Sequence, residues 1–196
     1  MHIKISLIFI LILVSKFNIS AQAFDSIVDT RDGKVYKTVI IGKQVWMAQN
    51  LNFQADGSWC YENKAENCSK FGRLYSWEAA NNSCPAGWHL PSDKDWMALE
   101  SFLGMDEIEL LKINSWRGTD QGKRLMSDTN LGFSVLPGGY RNPPSNYNLM
   151  DLQAFFWTST AEAGSAWFRQ FYNGSSQIFR KNRPVSWAFS VRCVKN

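Results

Sequence analysis

Hydrophobic and polar positions change their period along this chain, and each change marks an element. After an Asp32-Gly33 turn, Val35, Lys37, Val39 and Ile41 alternate with Tyr36, Thr38 and Ile40, and Gly42-Lys43 leads into Gln44-Val45-Trp46-Met47. Alternation on both sides of a glycine-containing turn predicts a β-hairpin over Lys34 to Ala48, at an edge of the main sheet. The polar stretch Asn52 to Lys70, with Asp56-Gly57 and two cysteines, reads as a stapled loop rather than a regular element. Helical spacing then takes over. Ser76 can cap a helix Trp77 to Ser83, with Trp77, Ala80 and Cys84 on one side and Pro85 and Gly87 ending it. Ser92 with Asp95 three residues on resembles a capping box, and Trp96, Leu99, Phe102 and Leu103 form one apolar face before Gly104 closes the helix. Glu107 to Ile113 predicts a short third helix before a loop around Trp116. From Gly132 the pattern is β again: Gly132 to Tyr140, Phe155 to Thr160, Ala166 to Tyr172, Gln177 to Lys181 and Ala188 to Lys195, with Asn173-Gly174 as a hairpin turn. Arg141 to Leu152, with Pro143-Pro144 and three Asn, reads as a long loop. There are no internal repeats. Strands at both ends around a helical middle predict an α+β fold with mixed and antiparallel sheets, two to three short helices in the first half and long loops, rather than βαβ units.

The first residues alter this picture only by setting the compartment. Lys4, the apolar run Ile5 to Val14 and Ala21-Gln22-Ala23 read as a signal peptide over residues 1–23, with cleavage after Ala23. The run is about half the length that crosses a bilayer, so no membrane span is expected. A lipid anchor would need a cysteine at the end of that segment, and the first is Cys60. Residues 24–196 then form one domain of 173 residues, with 19 basic and 17 acidic side chains, scattered rather than clustered. That balance gives no electrostatic case for nucleic acid. Four cysteines, Cys60, Cys68, Cys84 and Cys193, are an even set in an exported chain and read as disulfides. Of the three possible pairings, Cys60 with Cys68 fits a local clip around Tyr61 to Asn67, which leaves Cys84 for Cys193. A zinc site is not supported: there is no CxxC pair, and only two His are present.

Several motifs carry a resemblance. Asp32 to Tyr36, Ile41 to Leu51, Gly72 to Trp77, Cys84 to Ser92 and Ser190 to Val194, together with Leu136-Pro137-Gly138-Gly139-Tyr140-Arg141 and Phe156-Trp157-Thr158-Ser159-Thr160, resemble the Fibrobacter succinogenes major paralogous domain in order and spacing over nearly all of the mature chain. That family consists of exported bacterial proteins, mostly of unknown function. His89 to Trp96 and Val191 to Val194 also look like their counterparts in the formylglycine-generating enzyme family, which has a variant of the C-type lectin fold. The resemblance implies a C-type-lectin-like domain whose N- and C-terminal strands pair. Val35 to Ile41 would then lie beside Ala188 to Val194, with Cys84 within reach of Cys193.

Candidate chemistry is sparse. Formylglycine-generating activity needs two neighbouring cysteines near the C-terminal end, and only Cys193 is there. His89, the sole His after residue 23, adjoins Trp88 and Leu90 and reads as structural, and Asp93 and Asp95 are accounted for by a helix start. Nine Trp follow residue 23. Trp46, Trp77, Trp88 and Trp96 read as core, whereas Trp116, Tyr147, Trp167, Tyr172 and Trp187 sit among polar or loop residues. Ligand contact is therefore expected from Trp116, Arg117, Arg141, Asn142, Asn146, Tyr147 and Asn148, with Trp187, where aromatic faces and polar groups lie outside the regular elements. Asn142, Asn146, Asn148 and Asp151 carry oxygens for calcium, but the Glu-Pro-Asn type triplet is missing and Thr158-Ser159 follows Trp157, so neither a metal nor another cofactor is expected. These residues predict an exported, non-catalytic binding module, periplasmic, cell-surface or extracellular, whose partner is a glycan or an envelope or extracellular protein. The alternatives are a structural or adhesion component of the envelope and, behind it, an enzyme related to the formylglycine-generating fold.

Overall fold

The computed structural model describes residues 25–196, so the signal peptide read at 1–23 lies outside the described residues. Asp25–Val28 (β1), Val35–Ile41 (β2) and Gln44–Met47 (β3) run antiparallel, and Gly42 takes a φ of 62° in the turn that sets Ile41 opposite Gln44. There follow Ser58–Trp59 (β4), Ala65–Phe71 (α1), Leu74–Ser76 (β5), Trp77–Ser83 (α2), Trp88–His89 (β6), Asp93–Phe102 (α3), Glu107–Leu111 (α4), Ser115–Arg117 (β7) and Gln121–Ser127 (α5). From residue 138 every element is a strand: Gly138–Asn142 (β8), Asn146–Met150 (β9), Gln153–Glu162 (β10), Ser165–Tyr172 (β11), Ile178–Pro184 (β12), Ala188–Phe189 (β13) and Val194–Lys195 (β14). The fold is α+β with two sheets. One has the order β1-β2-β3-β14-β6; the other, of nine strands, runs β4-β5-β13-β8-β10-β11-β12-β7, with β9 paired to β8.

The caps explain the two best-defined helices. Ser76 Oγ accepts from the Ala79 N–H at the start of α2. Ser92 Oγ accepts from the Asp95 N–H while the Asp95 carboxylate accepts from the Ser92 N–H, so two free donors of the first turn of α3 are satisfied reciprocally. Trp96, Leu99 and Leu103 are buried, but Phe102 is 43% exposed and lies over the Gly42 turn, so it leaves the inward face expected for it.

Other expectations are corrected. The hairpin β2-β3 lies within the smaller sheet, flanked by β1 and β14, rather than at an edge of the larger one. The segment Asn52 to Lys70 holds β4 and most of α1; Lys64 offers no side-chain cap, so nothing local announced that helix. Gly132 to Pro137 is not a strand, and the following "loop" is the hairpin β8-β9. The terminal strands share a sheet, but β14 pairs with β3, Val194 opposite Trp46, and not with β2. Ala188–Phe189 belongs to the other sheet, opposite Ser76 and Tyr75, because residues 190–193 cross between the two: the Ser190 N–H donates to Phe155 O and the Met47 N–H to Cys193 O. Disulfides join Cys60 to Cys68 and Cys84 to Cys193, the second tying the end of α2 to that crossing segment.

β10 is buried on both faces, which is why Ala154-Phe155-Phe156-Trp157 is an unbroken apolar run. Phe156 joins Trp46, Trp96, Leu99, Phe133 and Phe171 in a core between the smaller sheet, α3 and the inner face of β10 to β12. Phe155 and Trp157 point the other way, into a second cluster with Tyr75, Ala80, Phe168, Phe189 and Cys193. Trp77 and Trp88 are half-buried against that second cluster.

Candidate functional site

Strand register decides which side chains meet. Across the nine-stranded sheet Phe155, Gln170, Phe179 and Trp116 are opposite one another on β10, β11, β12 and β7, and Gln153 is opposite Tyr172. Directly paired residues share a face, so this row lies on the outer side of the sheet, away from α3. Phe155 and Phe168 are buried there by Tyr140, Phe189 and their neighbours, but the rest of the row is open: Gln153, Gln170, Phe179 and Trp116 are half-buried, and Tyr172 is 38% exposed. Gln170 Nε2 donates to Gln153 Oε1 at 2.7 Å, and the Trp116 ring lies 5.3 Å from Phe179 and 6.5 Å from Tyr172.

The opposite end of the same face is built on β8-β9. Tyr140, opposite Asn148, meets Phe155 edge-on at 5.0 Å and stacks on Trp187 at 5.1 Å with 21° between the rings. Asn148 Nδ2 donates to Asn142 Oδ1 at 3.1 Å, two residues along from Tyr140 on the same face, and Asn146 is opposite Asn142. The Arg183 guanidinium sits 5.1 Å from the centroid of the Trp187 ring. The close approach of β8 and β9 needs a glycine at 139: its φ is 66°, and a Cβ there would lie 2.3 Å from Asn148 O.

The Fibrobacter succinogenes major domain matches residues 39–195. The chain belongs to this family. No curated protein and no solved structure matches it. The match runs from within β2 into β14, so this Fibrobacter succinogenes major domain takes in both disulfides and the whole of the outer face just described.

Of the residues expected to contact a ligand in this major domain, Asn142, Asn146, Asn148 and Trp187 come together at the β8 end of that face, and Trp116 lies on it four strands away. Arg141 and Tyr147 are on the reverse of the hairpin, where the Arg141 guanidinium lies 4.0 Å over Trp59 and the Tyr147 hydroxyl bonds Asn63 Oδ1. Arg117 is a correction. It alternates with Trp116 and so points under α3, fully buried, with Nη2 on both Glu100 oxygens at 3.0 and 3.1 Å and Nη1 on Leu110 O. There it joins a network that sequence reasoning missed: Arg169 bonds Glu100 at 2.6 Å and Asp93 at 2.6 Å, and Arg180 closes on Asp93 at 2.6 Å. Burial alone would raise the Asp93 carboxyl, but the hydrogen bond from Arg180 and the charge of Arg169 outweigh it and hold the pKa below the ordinary 3.8. One signal could have revealed the network. Glu100 follows Leu99 and sits four residues after Trp96, on the buried side of α3, where a carboxylate demands a buried cation.

The side chains of Ser92, Asp95 and His89 meet at the start of α3. Ser92 Oγ donates to Asp95 Oδ2 at 2.6 Å, and His89 Nε2 reaches the same oxygen at 3.5 Å while Nδ1 bonds Asn196 Oδ1. The carboxylate thus stands between hydroxyl and imidazole, whereas nucleophile activation needs the imidazole between the other two. Among the described residues no three His, Cys, Asp or Glu side chains gather to hold a metal. Asn142 Oδ1 is taken by Asn148, and Asp151 Oδ1 by Lys70 at 3.2 Å, so two of the four side chains considered for calcium turn an oxygen to a protein partner.

Proposed function

We propose that this family member is an exported, non-catalytic binding domain of C-type-lectin-like architecture whose ligand is a glycan, held at Tyr140, Trp187, Asn148 and Asn142. The observation that carries it is the half-exposed Tyr140–Trp187 stack with two side-chain amides beside it. Sugar rings present apolar faces to aromatic rings and hydroxyls to amide donors and acceptors, and this end of the sheet offers both. Export is supported by the two disulfides, which persist in oxidising compartments. The lectin-like reading is supported by short helices in the first half, by β14 in one sheet with β2 and β3, and by the tie from α2 to the last segment. A non-catalytic role is supported by the order of Ser92, Asp95 and His89. A partner protein is the second reading, favoured by Ile108, Leu111 and Ile113, which are 75%, 64% and 51% exposed in and just after α4.

A polysaccharide binding panel on the protein, with and without chelator, tests the glycan reading. Binding to a polysaccharide is expected to survive the chelator and to fall with Trp187→Ala and with Asn148→Ala, the second of which leaves the aromatic stack in place. No glycan bound, or binding indifferent to both substitutions, overturns it and leaves the α4 surface as the candidate.

A further inference from the structure

The outer face continues well beyond the stack, and its ends match. Tyr140 on β8 carries Trp187, from the connection between β12 and β13, stacked on it; Phe179 and Trp116 stand on β12 and β7, and the Gln153–Gln170 amide pair lies between on β10 and β11. Four strand-to-strand steps of about 4.8 Å separate β8, which carries Tyr140, from β7, which carries Trp116, a backbone separation of about 19 Å, the reach of roughly four sugar rings in an extended chain. Small-molecule sites are concave. Three depressions among the described residues lie off this face: one beside α2 lined by Gly57, Ser76 and Asn82, one beside α5 lined by Lys123, Ser127 and Asn173, and one between β2 and α1 lined by Tyr36, Asn50 and Phe71. A strip with aromatic rings at both ends and amides in the middle suits a polymer lying across the strands better than a single terminal sugar.

The charge on the strip narrows the polymer further. Alternation along β12 puts Lys181 and Arg183 on the same face as Phe179, and neither is in an ion pair among the described residues. The other outward positions, from Gln153 to Trp157 on β10 and from Ala166 to Tyr172 on β11, hold no carboxylate. Two cations on this face, Lys181 and the Arg183 that lies against Trp187, with no carboxylate at those outward positions, favour an anionic chain.

Resting on the glycan reading, we infer that the outer face of β8, β10, β11, β12 and β7 binds an extended acidic polysaccharide, with the Tyr140–Trp187 stack at one end, Trp116 at the other, and Lys181 and Arg183 as partners of uronic-acid carboxylates. An acidic peptide is the competing occupant, and the aromatic ends with amides between them weigh against it.

The probes are oligogalacturonates of two, four and six residues, their methyl esters and a polyglutamate peptide, titrated calorimetrically against the full protein. Affinity is expected to rise from dimer to tetramer and flatten at the hexamer, with the acid bound roughly tenfold more tightly than the ester at low salt and the gap closing as salt rises. Trp116→Ala should weaken the hexamer roughly tenfold while leaving the dimer unchanged, and Lys181→Gln with Arg183→Gln should erase the preference for acid over ester. Affinity independent of length, a hexamer indifferent to Trp116→Ala, equal binding of acid and ester, or binding of polyglutamate in place of the sugar each overturns the inference. If neutral polysaccharides bind through Trp187 while the acidic series does not, only the inference falls; if no saccharide binds at all, the glycan reading falls with it.

Discussion

Removing the two disulfides separately asks whether they act on the unfolded chain, as their loop lengths imply. Cys84 and Cys193 are 109 residues apart, Cys60 and Cys68 only 8. The chain-entropy relation gives about 4.8 kcal/mol for closing the long loop and about 2.5 kcal/mol for the short one, so the Cys84→Ala/Cys193→Ala variant should lose about 2 kcal/mol more than Cys60→Ala/Cys68→Ala. Native-state losses point the same way, because Cys193 is fully buried in the second core whereas the Cys60 sulfur borders the Arg73 guanidinium at 3.5 Å. Urea unfolding of the oxidised proteins reads the difference directly, and by melting it corresponds to roughly 4 to 8 °C for a domain of this size. The denaturant slope should also rise more for the long-loop variant, whose unfolded chain expands further once released. Equal losses, or a greater loss from the short clip, would refute the loop-closure argument. The clip would then be acting in the folded state, by holding Trp59 and Tyr61 against Tyr147 and the β8-β9 hairpin.

Two further outcomes follow from packing and charge. Trp96 is fully buried against Trp46, Phe133, Phe156 and Phe171, so Trp96→Ala should cost roughly 3 to 5 kcal/mol in urea unfolding and Ser92→Ala only about 1 kcal/mol for the lost cap; a near-neutral Trp96→Ala would mean that α3 faces the other way. Asp93 has a folded pKa below its unfolded 3.8, so its contribution is fully present above that value and is lost as pH falls through the folded one; the acid limb of the stability curve should be shallower in Asp93→Asn, and parallel limbs would show that Asp93 is not a source of the acid sensitivity.

Caps and turns made part of the fold legible in the sequence. Ser76, Ser92 with Asp95, and Gly42 act on the next few residues, and there the expected and observed elements agree closely. Helix α1 was hidden because Lys64 gives no cap and its packing is tertiary, with Phe71 and Cys68 buried. Hairpin β8-β9 was hidden because Pro143-Pro144 and the Asn residues read as turn chemistry, and they do form a turn, but only between residues 142 and 146. Phe133 and Val135 looked like a strand because they are apolar and alternate. They are buried without a ladder, and the carbonyls of Phe133 and Ser134 instead receive the buried Arg192 guanidinium. The expected contact residues are divided by strand alternation: Asn142, Asn146 and Asn148 share one face of the hairpin with Tyr140, Arg141 and Tyr147 take the other, and Arg117 is buried because its adjacency to Trp116 says nothing about which of the two faces outward.

That last question is one of register, and the buried ion network answers it. Arg169 and Arg180 are directly opposite each other on β11 and β12, an arrangement that repels unless an anion lies between them, and Asp93 at the start of α3 takes both. Glu100, two turns along the same helix, takes Arg117 and Arg169. Sliding β12 or β7 by one residue would remove Arg180 from Asp93 or Arg117 from Glu100, leave Arg169 to serve both buried carboxylates with fewer hydrogen bonds, and drive Phe179 or Trp116 under α3. The cost of breaking this buried network therefore fixes the alternation on these strands. Because side chains alternate, pinning the arginines inward also pins Gln170, Phe179, Lys181 and Trp116 outward, so the network that touches no ligand is what holds the open face in place.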